Sequence, residues 1–162
     1  MVKSKPSYLA TFPVFSGSIE DLMRSFKDAL SQNKFASCVT LNAEMFVSAQ
    51  QSNVLKSRLL NADWTTADGV GVIHALRLLN QSSVKRITGS DICHALAKNA
   101  CFSIYLLGSK EFVLDKVQQN LKKGYPDLQI KGAHHGYIEE ADFQNIVDDI
   151  ITNRPDIILV GM

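Results

Sequence analysis

The sequence has no long apolar run: nothing in it approaches the roughly 20 residues that a helix needs to cross a bilayer. The opening stretch, Met1 to Ser7, also lacks the charged and then apolar blocks of a secretory signal. The expectation is a soluble, cytoplasmic chain. Charge of one sign is equally scarce. With 17 basic and 16 acidic side chains the formal net charge is +1, so the surplus positive field by which proteins neutralise nucleic-acid phosphates is missing. No nucleic-acid partner is expected. Cysteine is limited to Cys38, Cys93 and Cys101, an odd number in no metal-ligand spacing, which reads as reduced structural thiols. The histidines, His74, His94, His134 and His135, come without a Cys-x-x-Cys or His-Glu-x-x-His motif, and no metal site is expected. The absence of Gly-x-Gly-x-x-Gly and of a P-loop lysine pattern removes support for an NAD or ATP cofactor, and with it for an oxidoreductase.

What is present is a steady alternation of helical and strand patterns. Ile19, Leu22, Met23, Phe26, Ala29 and Leu30 recur at helical spacing behind a capping Ser18. Ala36 to Leu41 reads as a buried strand, a helical stretch starts at Ala43, and Trp64 to Thr66 is a short strand. Val70 to Leu79 is helical, and Ile92 to Lys98 is the next helix. Phe102 to Leu107 is a strand covered on both faces. Phe112, Val113, Val117 and Leu121 make another helical face, Leu128 to Ile130 a short strand, and Glu139 to Thr152 a helix with Phe143, Ile146, Val147, Ile150 and Ile151 on one side. Ile157 to Val160 is the last strand. Parallel strands need crossover connections, so this order predicts the α/β class: a Rossmann-like three-layer sandwich with a mostly parallel sheet. At 162 residues and 46% hydrophobic, with no repeat, low-complexity tract or linker, residues 1–162 read as a single domain. The chain ends where a strand should pass into a loop and covering helix, so it reads as unfinished. An exposed edge of that kind would favour self-association.

In an open α/β sheet, ligands bind beyond the carboxyl ends of the strands. The residues placed there are Thr40 and Asn42, Asp68-Gly69, Arg86 to Asp91, Gly108-Ser109, and His135-Gly136-Tyr137. Arg86-Ile87-Thr88-Gly89-Ser90-Asp91 joins a basic residue to a small-residue turn that opens a helix, the composition of an anion site. The same residues also read as a cap by Ser90 or Asp91 beside a solvated Arg86. Asp91 would repel a diphosphate, so capping or hydroxyl binding suits it better. Asp68 has two readings, general base and N-cap of the helix that follows. Gly108-Ser109 reads as the first turn of a dinucleotide fold or as a plain tight βα turn. Tyr137 reads either as a stacking ring or as packing at a loop edge.

Taken in order, six segments resemble the WecG/TagA/CpsF family of glycosyltransferases over nearly the whole chain. They are Thr40-Leu41-Asn42-Ala43-Glu44, Ala67-Asp68-Gly69-Val70-Gly71, Arg86-Ile87-Thr88-Gly89-Ser90-Asp91, Leu107-Gly108, Gly132-Ala133-His134-His135-Gly136-Tyr137, and Pro155 to Met162. The resemblance implies inverting, metal-independent transfer of an N-acetylmannosamine-like hexosamine from a UDP-sugar donor. The acceptor would be an undecaprenyl-diphosphate-linked sugar, in cell-surface polysaccharide synthesis. It implies Asp68 as catalytic base and Arg86 as the cation on the diphosphate. Thr40, Asn42, Gly89, Ser90, Asp91, Gly108, Gly136 and Tyr137 would line the substrate site. The sequence has no Asp-x-Asp pair of the kind that holds a divalent ion on a diphosphate in many glycosyltransferases. It departs from the family in stopping before a Gly-x-Pro-x-Gln-Glu stretch and an appendage. Peripheral association with the inner face of the membrane is expected only with that segment present. The alternative is a noncatalytic nucleotide-binding or assembly module. The extra histidine is a second departure, with His135 at the family position.

Overall fold

The apolar periodicities become seven strands and seven helices among the described residues of a computed structural model, residues 7–81 and 83–161. The opening stretch Met1 to Pro6, Ser82, and Met162, the last residue of the final motif, lie outside the described residues. The chain divides into two compact units between Ile92 and Cys93.

The first unit opens with an antiparallel hairpin of β1 (Ser7–Leu9) and β2 (Phe12–Val14). These strands are too short to show a period, and the sequence reading misses them. Gln81 holds the hairpin: its side-chain amide accepts from the Tyr8 N–H and donates to the Tyr8 carbonyl. In α1 (Ile19–Ser31) the expected Ser18 cap is present. Ser18 Oγ accepts from Asp21 N at 3.2 Å, and Asp21 Oδ2 accepts from Ser18 N at 3.0 Å, a reciprocal box that satisfies two otherwise orphaned donors.

β3 (Cys38–Leu41) and β4 (Trp64–Ala67) pair in parallel, with Thr40 opposite Thr66 and Leu41 opposite Ala67. Only Leu41 of β3 is buried, which corrects the expectation of a buried strand from Ala36. Between them the expected single helix is two, α2 (Ala43–Gln51) and α3 (Asn53–Leu60). Ser52 breaks the run because its backbone is extended, with φ −126°, and its hydroxyl caps α3 at Leu55 N. α4 (Val70–Leu78) follows β4. Phe12, Val14, Leu41, Leu59, Ala67, Val72 and Leu76 form the core. Each large side chain among them is worth about 1.5–3 kcal/mol of burial.

α5 (Gly89–Asn99) begins in the first unit and runs into the second. There β5 (Ser103–Gly108), β6 (Gln129–His134) and β7 (Ile157–Gly161) form a parallel sheet in the order β6-β5-β7. Central β5 is buried from Ser103 to Leu106, as its unbroken apolar run requires. The crossovers are α6 (Glu111–Gly124) and α7 (Phe143–Asn153), the latter behind a 3₁₀ turn at Glu140–Asp142. Ala97, Leu114 and Leu121 pack with Ile104 and Leu106.

Two helical faces differ from the sequence reading. On α6 the inward residues are Leu114 and Leu121, while Phe112 is 60% exposed; on α7 Ile146 is buried while Phe143 and Ile151 are exposed. Both helices have more apolar residues than one face can bury, so spacing alone does not choose the inner set. β6 is longer than expected because its pairing with β5 carries it to His134. The α/β class and parallel sheets expected from the sequence are found in both units. No helix among the described residues is long and apolar enough to cross a membrane.

Candidate functional site

In the first unit the carboxyl ends of β3 and β4 gather four of the expected residues. Asp68 N donates to Leu41 O at 2.8 Å, and Ile87 N donates to Ala67 O at 3.0 Å, closing a parallel bridge between Ala67 and Arg86. These bonds set Asp68 beside the end of β3 and Arg86 beside the end of β4. Asp68 Oδ2 accepts from Gly89 N at 3.4 Å. Thr40 stands against the same glycine: its Oγ1 and Cγ2 are each 3.8 Å from where a Cβ on Gly89 would lie. The Arg86 side chain is exposed and makes no ion pair among the described residues.

The helix caps here separate the alternatives that the sequence leaves open. Asn42 caps α2, its Oδ1 accepting from Met45 N at 2.7 Å, which leaves its amide nitrogen to donate to a ligand. Thr88, rather than Ser90, caps α5. Thr88 N and Oγ1 donate to Asp91 Oδ2 at 2.9 and 2.7 Å, and Asp91 N donates back to Thr88 Oγ1 at 3.1 Å. Asp91 therefore takes part in the cap, in the returning role, and Ser90 is exposed in the first turn. Asp68 does not cap α4. The cap position belongs to Gly69, with φ +86°, and no side chain caps that helix. The Asp68 carboxylate is turned instead to α5, and the first N–H groups of α4 stay open at the sheet edge, where an anion is favoured.

Sequence reasoning misses this open amino end, although Gly69-Val70-Gly71 carries the signal in having no hydroxyl or carboxamide at the cap. It also misses Thr66. That hydroxyl, opposite Thr40, is fully buried with no hydrogen-bond partner among the described residues, and nothing in its local sequence distinguishes it.

In the second unit Gly108, Ser109 and Gly136 meet. Ser109 N donates to Gly161 O at 2.9 Å, and Gly136 N donates to Ser109 O at 2.8 Å. Gly108 has φ +134°, and a Cβ there would stand 2.1 Å from Gly161 O, so only glycine fits. Tyr137 follows and is 67% exposed. A cleft of about 260 Å³ lies near the end of β6, bounded by Tyr105, His134, Asp142, Asn145 and Asp149. Tyr105 is buried and its hydroxyl donates to Asp149 Oδ2 at 2.8 Å. Burial, then the bond to Asp149 and its negative charge, push the Tyr105 phenol up to about 12. His134 Nδ1 donates to His135 O at 2.8 Å, since a carbonyl can only accept. All three cysteines are free thiols, and burial pushes Cys38 up to about 12, away from the reactive thiolate.

Parallel strands joined by helical crossovers define a protein of the open α/β class, the class in which ligands bind beyond the carboxyl ends of the strands. Residues 8–162 match the Glycosyl transferase WecG/TagA/CpsF family, and the chain belongs to it. Its relatives include two proteins named N-acetylglucosaminyldiphosphoundecaprenol N-acetyl-beta-D-mannosaminyltransferase. The one from Bacillus spizizenii is 29% identical over 136 residues, covering 82% of this chain and 52% of the relative. The one from Staphylococcus aureus is 31% identical over 147 residues, covering 89% of this chain and 56% of the relative. The chain thus spans about half the length of the curated relatives it matches.

Proposed function

We propose that this chain is the core of an enzyme that transfers an N-acetylmannosamine-like hexosamine from UDP to an undecaprenyl-diphosphate-linked sugar, in cell-surface polysaccharide synthesis. The observation that carries the reading is the Asp68 carboxylate. It is not spent as a helix cap, is held by the Gly89 N–H, and sits in one cluster with Thr40 and the Arg86 backbone. A carboxylate so placed can take the proton of an acceptor hydroxyl as that oxygen attacks the anomeric carbon. UDP leaves from the opposite face, which inverts the centre. Negative charge grows on the departing diphosphate, where Arg86 and the open N–H groups of α4 offset it. That stabilisation needs no metal, in keeping with a sequence that has no Asp-x-Asp pair. Ser90, Asp91 and the amide of Asn42 keep their proposed places around the substrate, and Gly108, Gly136 and Tyr137 theirs toward the nucleotide, the exposed Tyr137 ring being available to stack on a base. Self-association along β7, where Ile158 and Val160 are exposed, belongs to the same proposal.

Calorimetry with UDP tests it, comparing the unsubstituted chain with Arg86→Ala and Asp68→Ala. Binding abolished by Arg86→Ala and spared by Asp68→Ala is the expected result. No binding by the unsubstituted chain would sink the site assignment. UDP binding without turnover selects the noncatalytic module, and transfer that strictly requires added manganese or magnesium overturns the metal-independent step.

A further inference from the structure

Gly89 is the first residue of α5, and the fold gives no reason for a glycine there. Its φ is not positive, unlike those of Gly69 and Gly108. A Cβ built on it meets only Thr40, at the 3.8 Å of an ordinary van der Waals contact. Glycine also costs a helix some stability relative to alanine. At this position the chain gives up helix stability without gaining any packing in return, and the volume that a side chain would take stays open on an exposed surface.

That volume has a defined border. Thr40 lines it, and the N–H of the same glycine points at Asp68 Oδ2. A base must have the hydroxyl it deprotonates within about 2.6–3.2 Å of a carboxylate oxygen, which brings the reacting hydroxyl next to the Gly89 backbone. We infer that Gly89 is a specificity-determining position. The acceptor sugar lies directly against its backbone, and the ring that carries the nucleophilic hydroxyl fills the space a side chain would occupy. A pyranose suits the site because its C–H groups can press on the bare backbone while a neighbouring hydroxyl reaches Thr40 Oγ1. This inference rests on Asp68 acting as the base.

Gly89→Ala and Gly89→Val test it with three readouts. They are thermal unfolding, calorimetry with UDP, and transfer from UDP-N-acetylmannosamine to a short-chain lipid-diphosphate N-acetylglucosamine. Gly89→Ala should unfold at or above the temperature of the unsubstituted chain and bind UDP equally well. Its KM for the acceptor should rise by about tenfold or more, the usual scale for one misplaced methyl group, and that of Gly89→Val by more. A lower unfolding temperature would mean that the glycine serves the fold after all. Weakened UDP binding would assign the space to the donor, and unchanged acceptor kinetics would defeat the inference while leaving the Asp68 reading intact. Failure of the unsubstituted chain to transfer at all removes the base and this inference together.

Discussion

β4 and β5 are both largely buried, and each reaches a glycine of positive φ at or just past its carboxyl end, Gly69 at +86° and Gly108 at +134°. At Gly69 an added Cβ meets nothing within 4 Å, whereas at Gly108 it would stand 2.1 Å from Gly161 O. Neither α4 beyond Gly69 nor α6 beyond Gly108 starts with a side-chain cap. Beyond Gly108, the N–H groups of Ser109 and Gly136 are used by Gly161 O and Ser109 O. One strand end keeps open space beside its glycine, and the other closes that space with its own backbone. Two turns that look alike in sequence therefore serve different ends, and the neighbours of each glycine, rather than the glycine itself, decide which is which.

The sharpest way to break this comparison is Asp68→Asn. The amide oxygen can still accept from Gly89 N, so the fold should be unaffected, to within about 0.5 kcal/mol in denaturant unfolding. The base is lost, and transfer should fall by about 10²- to 10⁴-fold. Retained transfer would show that the open end of β4 does not hold the chemistry. At the closed end, Gly108→Ala forces a methyl group into a backbone carbonyl at a positive φ. It should destabilise the second unit by about 3 kcal/mol or more, while Gly69→Ala costs the first unit only its backbone strain, about 1–3 kcal/mol, with no clash added. Equal losses in urea unfolding of the two variants would remove the distinction.

A smaller effect probes the first unit, where one amino end is closed and its neighbour open. Asp91→Ala removes the carboxylate that accepts from both Thr88 N and Thr88 Oγ1 and should cost about 1 kcal/mol of stability, the usual worth of a cap. No change in the unfolding midpoint would mean that the cap does not hold α5.

Much of this architecture is legible in the residues, because helices, strands and caps follow local rules. Ser18 announces α1, and the apolar run before Gly108 announces a strand covered on both faces. What local rules leave out is partner choice. Phe112 and Leu114 are both apolar on α6, and only the packing of the sheet decides that Leu114 goes inside. Asp68 stands two residues ahead of α4 and reads in sequence as a cap or a base. The positive φ of Gly69 shifts the cap position past it, and the contact that shows where its carboxylate goes comes from Gly89, 21 residues on. Thr66 is illegible for the same reason, since its lack of a partner is a property of its surroundings.

The smallest effect at neutral pH concerns Tyr105, three residues before Gly108 on the strand whose polar groups serve the fold. Its phenol is pushed up from 10.0 to about 12, first by burial and then by the bond to Asp149 and its charge. A group whose folded pKa is raised adds stability that is fully present below its unfolded pKa, so this contribution is intact below pH 10. It is lost as pH rises from there through about 12, when the folded state must also give up the proton. Tyr105→Phe should lower stability at pH 7 by about 1 kcal/mol, the worth of one hydrogen bond, and should flatten the alkaline fall in the unfolding midpoint between pH 10 and about 12. If the variant kept the full alkaline slope, the fall would belong to other groups, and the polar pair beneath the closed strand end would not be part of what holds that end together.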